Sequence, residues 1–114
     1  MTSFRPAEHV RKRADFELIY QTGFRRNGRL MTLFTKERES GAARLGIAAT
    51  RKIGGAVERN RAKRVVREVF RHHKPSGAID IVVIPRREML DASYERVEAE
   101  FQSLLQRSPK RVNG

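Results

Sequence analysis

The spacing of apolar positions changes repeatedly along the chain, and each change marks an element. In RKRADFELIYQTG, residues 11 to 23, Phe16, Ile19 and Tyr20 share one face of a short helix that Gly23 stops at its C′ position. GRLMTLFTK, residues 28 to 36, and RLGIAATRK, residues 44 to 52, alternate or run apolar as strands do, and the polar linker ERESGAA between them reads as a hairpin loop. Over residues 57 to 74, VERNRAKRVVREVFRHHK, Ala62, Val65, Val66, Val69 and Phe70 gather on one arc of a helix at about 100° per residue. The HKPSG turn ends it. AIDIVVIP, residues 78 to 85, is almost continuously β-branched and reads as a central buried strand closed by Pro85. From Asp91 or Ser93, either of which is a suitable N-cap, a last helix puts Tyr94, Val97, Phe101, Leu104 and Leu105 on one face.

The order helix, two strands, helix, strand, helix predicts an α+β fold with helices packed on one mixed sheet, a two-layer α-β sandwich. At 114 residues the chain suits a single domain with a modest core. Mobile ends are expected over about residues 1–10 and 108–114. No internal repeat is visible. The crossover from 44 to 85 would be right-handed by the general rule for parallel strands.

The face opposite the apolar arc turns the question from fold to function. Arg59, Lys63, Arg64, Arg67, Arg71 and Lys74 cover roughly 140° of the helix of residues 57 to 74. Arg59, Lys63, Arg67 and Arg71 form a ladder at four-residue spacing, each like-charge pair costing about 0.2–0.5 kcal/mol. Arg59 and Arg61 also lie near the helix start, where the macrodipole disfavours a cation by about 0.3–1 kcal/mol. Glu68 relieves only part of this, and a docked polyanion reverses both signs. The net charge is +12, and residues 51 to 74 carry nine Lys or Arg against only Glu58 and Glu68. Nucleic acid is therefore the first expectation for a partner and an acidic membrane surface the second. A charged helix face is ordinarily just solvated; the unbalanced ladder favours binding here. Regularly spaced cations on a rigid rod match the phosphates of a folded RNA, and Asn60 adds an amide that donates and accepts. Such contacts fix register without reading sequence, so recognition of shape is expected.

On residues 44 to 52, Leu45, Ile47 and Ala49 point one way and Gly46, Ala48, Thr50 and Lys52 the other. That second face is nearly flat and ends in a cation. Its small residues admit a closely packed helix, or they floor a groove. In the groove, Phe34 from the neighbouring strand and overhanging Phe16 and Tyr20 offer rings to single-stranded bases, with Lys52 near a phosphate. Stacking of this kind is worth about 1–3 kcal/mol per base and tolerates any base. The two readings are compatible.

Other chemistries find little support. The absence of Cys excludes disulfides and thiolate metal sites and fits a reducing cytosol. No apolar run approaches a membrane span, and the basic start MTSFRPAEHVRKR is followed by no signal-peptide core, so a soluble cytoplasmic protein is expected. RKIGGAVERN places Gly54 and Gly55 at a helix start but lacks the Walker spacing and its Lys-Ser/Thr ending. His72 and His73 are adjacent, poorly placed to share a metal, and read as end-of-helix residues. Asp91, Glu95, Glu98 and Glu100 read as the polar side of the last helix. With no His, Cys or Ser constellation beside them, no catalytic side chain and no metal ligand is expected.

Arg59-Asn60-Arg61 followed by Lys63, Arg64 and Arg67 forms an RNR pattern. Together with the lead-in GIAATRKIGGAVERNR and the phrases ADFELIYQTG and AIDIVVIPR, it resembles the protein subunit of bacterial ribonuclease P from about Arg11 to Leu105. RNR alone is a weak motif; the four phrases in order are specific. The resemblance implies a sandwich of three helices on a mixed sheet of about four strands, ribosomal protein S5 domain 2-like, whose β-α-β crossover is left-handed rather than the default. It implies that the catalyst is a separate RNA, using Mg²⁺ bound mainly by that RNA, which removes the 5′ leader from precursor transfer RNA. Arg59, Asn60, Arg61, Lys63, Arg64, Arg67 and Arg71 would face the catalytic RNA. Phe16, Tyr20, Phe34, Ala48, Thr50 and Lys52 would line the cleft for the leader. The partners would be these two RNAs, without membrane or DNA, and the protein a monomer. Tyr20 and Phe34 stand where Phe and Tyr are familiar in the family, which preserves stacking but removes any hydroxyl at 34. Ala48 and Ala49 replace a familiar Ser and Val, and Gly55 a polar residue. Rival readings are a structural ribosomal-RNA binder, a protein-only ribonuclease and, third, a DNA regulator, which the strand-rich start disfavours.

Overall fold

A computed structural model describes residues 8–106 and 110–111. Its elements are α1 (Arg13–Thr22), β1 (Phe24–Asn27), β2 (Met31–Glu37), β3 (Arg44–Ile47), α2 (Ala56–His72), β4 (Ile79–Pro85), a 3-10 turn (Arg87–Asp91), α3 (Tyr94–Gln106) and the short β5 (Lys110–Arg111). The strands form one mixed sheet in the order β3-β4-β2-β1-β5. β4 runs antiparallel to β2 from Met31↔Pro85 to Glu37↔Ile79 and parallel to β3 from Arg44↔Asp80 to Ile47↔Val83.

The expected hairpin between β2 and β3 does not form, because β4 lies between them. Ile81, Val82 and Val83 are fully buried, and a strand apolar on both faces gains most from the middle of the sheet. The hairpin is instead β1–β2, with Arg26↔Leu33 and Asn27↔Thr32 in register. β1 is FRRN, half of it guanidinium, which conceals its alternating burial from an apolar count. β3 ends at Ile47; residues 50 to 54 then make a tight turn through Ile53 N–H to Thr50 O and Gly54 N–H to Arg51 O, each 3.1 Å.

Gly23 ends α1, but with extended dihedrals (φ −83°, ψ −176°) rather than the left-handed C′ geometry. Glycine is required there for space, since a Cβ would lie 2.5 Å from Ile19 O and 2.6 Å from Thr35 O. α3 starts after Ser93, whose Oγ accepts the Arg96 N–H at 3.2 Å; Asp91 closes the preceding 3-10 turn. Of the expected mobile ends, residues 1–7, 108–109 and 112–114 lie outside the described residues. Residues 8–10 lie against β3, with Val10 buried and its N–H 2.9 Å from Leu45 O, and residues 110–111 pair with β1.

The sheet buries its two faces under different helices. On one face, Leu33, Leu45, Ile81 and Val83 meet Ala62, Val66, Val69 and Phe70 of α2 and Val97, Phe101 and Leu104 of α3. Burying side chains such as Val66, Val69 and Phe70 is worth about 1.5–3 kcal/mol each, which outweighs the roughly 1 kcal/mol of like-charge repulsion along the ladder of α2. The reverse face is smaller: Phe34 and Val82 meet Val10 and Ile19, with Phe16, Tyr20 and Ile84 partly buried around them. α1 covers only part of this face.

Two carboxylates, the buried Asp80 and the half-buried Glu100, tie distant segments together. Asp80 accepts Arg38 Nε at 2.7 Å and both Arg44 Nε and Nη2 at 2.7 Å, and this pairing holds the Arg44 guanidinium in its charged form. Glu100 of α3 accepts the backbone N–H groups of Arg29, Leu30 and Met31 at 2.9, 2.8 and 3.0 Å. It is thus a fastening for the β1–β2 turn and not merely part of a polar helix face.

Candidate nucleic-acid interface

The cationic arc of α2 is set by its neighbours on the helix. Ala62, Val66, Val69 and Phe70 are pressed into the core, so Asn60, Arg64 and Arg67 are turned outward and exposed, with Arg59 and Lys63 half-buried on one flank. None of these five side chains has a hydrogen-bond or ion-pair partner among the described residues. Two of the expected RNA-facing arginines are engaged by other groups of the protein. Arg61 Nη2 donates to Leu90 O at 2.5 Å, and Arg71 Nη2 donates to Glu68 Oε1 at 2.5 Å. Glu68 also meets His72 Nε2 at 2.9 Å; the Arg71 hydrogen bond, then that of His72, hold its carboxyl below the usual range. The seven predicted residues therefore divide into five available to a partner and two already held. At the helix start, the Glu58 carboxylate accepts Gly55 N–H at 2.8 Å, filling the place an anion would take.

Lys74 lies beyond the end of α2 and pairs with the buried Glu8 at 2.7 Å. His73 meets Glu98 Oε2 at 2.6 Å through Nε2 and the Gln102 amide at 3.0 Å through Nδ1. Both adjacent histidines thus serve as links at the end of the helix.

On the reverse face, a groove of about 540 Å³ opens where α1 stops covering the sheet. Phe34, Thr50 and Lys52, all expected in the cleft, line it. Tyr20 meets Phe34 edge-on with ring centroids 4.9 Å apart, and Phe16 follows at 6.3 Å from Tyr20. Phe16 lies over Gly46, where a Cβ would be 2.7 Å from its Cζ. The small residue on β3 therefore admits a closely packed helix, and the aromatic row continues into the open groove. Close helix packing and an open groove thus adjoin on this face. Phe16, Tyr20 and Ala48, also expected in the cleft, do not line the groove; the two rings stand beside it, and the Ala48 N–H extends the β3–β4 ladder to Val83 O at 2.9 Å. Lys52 is exposed, on a turn whose Ile53 is buried in the main core.

The groove also holds cations that sequence reasoning did not single out. Arg25, Arg86 and Arg87 line it, with Glu88 as the sole acid among the described lining residues. Arg25 Nε and Thr32 Oγ1 both donate to Asn27 Oδ1, at 3.2 and 3.1 Å, and Arg86 Nη2 donates to Thr32 Oγ1 at 3.2 Å. This chain of hydrogen bonds holds two guanidinium groups at the groove wall. Arg25 was hidden in an unrecognised strand; the pair Arg86-Arg87 directly after the Pro85 strand end was the available signal.

An aromatic row beside four cations, joined through β3 to a helix with an unneutralised cationic arc, is chemistry for a single strand and a folded polyanion on one small body. The chain is similar to ribonuclease P protein components. It is 36% identical over 112 residues to the ribonuclease P protein component of Syntrophus aciditrophicus, covering 96% of this chain and 94% of the relative. It is 41% identical over 105 residues to that of Oleidesulfovibrio alaskensis, covering 89% and 82%. Among solved structures, the RNase P protein from Thermotoga maritima superposes with a TM-score of 0.78 at 36% identity, covering 89% of this chain and 97% of that one. A Staphylococcus aureus RNase P protein mutant superposes at 0.80 with 34% identity, covering 88% and 86%. The Ribonuclease P family model matches residues 4–108, and with this agreement of sequence, fold and surface chemistry the chain belongs to the ribonuclease P protein family.

Proposed function

We propose that this chain, as the protein component of a ribonuclease P, lays α2 against the catalytic RNA and holds the 5′ leader of precursor transfer RNA in the groove beside Phe34. The observation that carries this reading is the outward arc of Arg59, Asn60, Lys63, Arg64 and Arg67, unpartnered among the described residues, on a helix whose opposite side is locked in the core. Phosphates between two RNAs repel each other, and a wedge of fixed cations between them lowers that repulsion. Tyr20, Phe34 and Phe16 supply stacking that tolerates any leader base, while Lys52, Arg25, Arg86 and Arg87 take its phosphates. Catalysis belongs to the RNA and the Mg²⁺ it binds, and the protein acts as a single-domain cytoplasmic monomer that takes RNA rather than DNA.

The test is reconstitution with a ribonuclease P RNA at low Mg²⁺, assayed for leader removal with each component left out in turn. The expected result is cleavage that requires the RNA and is strongly stimulated by the protein. Cleavage by RNA-free protein would overturn the reading, as would copurification with ribosomal subunits and no effect on the catalytic RNA. Leader nucleotides should crosslink from Lys52 and Phe34 positions; a label confined to the α3 side would place the leader elsewhere.

A further inference from the structure

Next to the aromatic groove, a second concavity of about 560 Å³ lies between the β1–β2 turn, the 3-10 turn and the start of α3. That volume is within the roughly 300–1,000 Å³ of small-ligand sites. Arg29 comes from the first of these segments, Glu88 and Asp91 from the second and Arg96 from the third, with Arg86 directly after β4. The walls are fixed from within the protein. Glu100 accepts the N–H groups of Arg29 and Leu30, the Arg86 N–H bonds Leu30 O at 2.8 Å, Met89 of the 3-10 turn is buried, and Arg61 holds Leu90 O at 2.5 Å. Three guanidinium groups and two carboxylates thus line one space without pairing with each other. The side chains of Arg29, Glu88, Asp91 and Arg96 have no hydrogen-bond or ion-pair partner among the described residues, and Arg86 donates to Thr32. Opposite charges free to meet on a surface do so at little cost. Held apart on separate, fastened segments, they suit a ligand that carries both an anion and a set of donors. Arg86 and Glu88 also line the aromatic groove, so a strand in the groove reaches this concavity over a shared rim.

We propose that this concavity is a guanine-selective subsite, in which a guanosine phosphate unit puts its base edge on Asp91 and its phosphate on Arg29 and Arg96. The proposal rests on the leader-binding reading above and adds a base preference to a groove whose stacking tolerates any base. The preference follows from the order of donors and acceptors. Guanine presents N1–H and the N2 amine side by side, two donors that match the two oxygens of one carboxylate. Adenine and cytosine each set one donor beside a ring acceptor, and uracil sets one N–H between two carbonyl oxygens. Each of these turns a lone pair toward the carboxylate, which is the costly mismatch. Glu88 shares the 3-10 turn with Asp91 three residues on, where side chains eclipse. Its charge repels a phosphate from that side and leaves it to the guanidinium groups. Those same guanidinium groups disfavour a metal ion between the two acids. The leader supplies a guanosine by crossing the Arg86–Glu88 rim; a free guanine nucleotide carries the same groups, and the two sources separate in the test.

The test uses the full-length chain reconstituted with a ribonuclease P RNA, and precursor transfer RNAs whose leaders are all uridine except for one guanosine moved along them. One guanosine position should bind about tenfold more tightly than the all-uridine leader, and adenosine or cytidine there should bring no gain. Inosine, which lacks the N2 amine, should lose most of it. D91A should reduce the preferred guanosine leader to the level of the all-uridine leader and leave the latter unchanged, a pattern that misfolding does not produce. E95A, at an exposed acid of α3 outside the concavity, should keep the preference. The second arm is guanosine monophosphate at millimolar concentration, which should shift the Arg29 and Arg96 side-chain NMR signals of the chain where adenosine monophosphate does not. A gain at one leader position assigns the guanosine to the leader; the nucleotide shift without any leader gain assigns it to a free nucleotide. Equal binding of all four bases at every position with no guanosine-specific shift, or a preference that survives D91A, overturns the subsite. If that happens while R59A/R64A/R67A still loses the catalytic RNA and Lys52 still crosslinks the leader, the wider reading stands and this subsite alone falls.

Discussion

The hydrogen in place of a side chain at Gly46 decides where Phe16 lies. A methyl group there would sit 2.7 Å from Phe16 Cζ, 2.9 Å from its Cε1 and 3.0 Å from Val10 Cβ. G46A should therefore push the ring off β3 and cost about 1–3 kcal/mol of stability, read as a lower urea midpoint. It should also weaken a single-stranded leader, since the row of Phe16, Tyr20 and Phe34 rings would be disturbed. Parental stability in G46A would mean that Phe16 does not occupy this place. At this scale the sequence was informative about residue type and silent about use. The alternation of residues 45 to 49 placed Gly46 opposite Leu45, but the ring that covers it comes from another element. Glu98 and Glu100 differ in the same way: two similar acids two residues apart, one bonded to a histidine and the other to three backbone N–H groups.

At the scale of elements, α2 was the most legible segment. Its 3.6-residue period places the core arc and the cationic arc from local information alone. The partition of the cations was not local, because Arg61 finds its carbonyl in the 3-10 turn, 29 residues away. Replacing Arg59, Arg64 and Arg67 together with Ala should weaken binding to the catalytic RNA and lower the magnitude of the slope of log affinity against log salt by about 2–3. R61A should change that slope far less. An equal loss from R61A would show that its guanidinium leaves Leu90 for the RNA. β1 was the least legible element, since FRRN offers no apolar period. Its pairing with β2, and not its composition, makes it a strand.

For the molecule as a whole, α3 is fastened to the β1–β2 turn through one carboxylate. E100A should leave the N–H groups of residues 29 to 31 without their acceptor, two of them on buried residues, and cost about 1–3 kcal/mol. E100Q, which keeps one carbonyl oxygen, should fall between. Amide exchange at residues 29 to 31 should quicken in the same order, and unchanged exchange in E100A would sink the assignment.

What the sequence by itself determined was the set of amphipathic segments and the excess of positive charge on α2, because burial period and charge density are properties of short stretches. What only the tertiary structure decided was the insertion of β4 between β2 and β3, the engagement of Arg61 by the Leu90 carbonyl, and the meeting of His9 with Lys63 and Arg67. These depend on which distant surfaces compete for the same partner. That competition is settled by pairing energies summed over the whole sheet, which no single stretch carries.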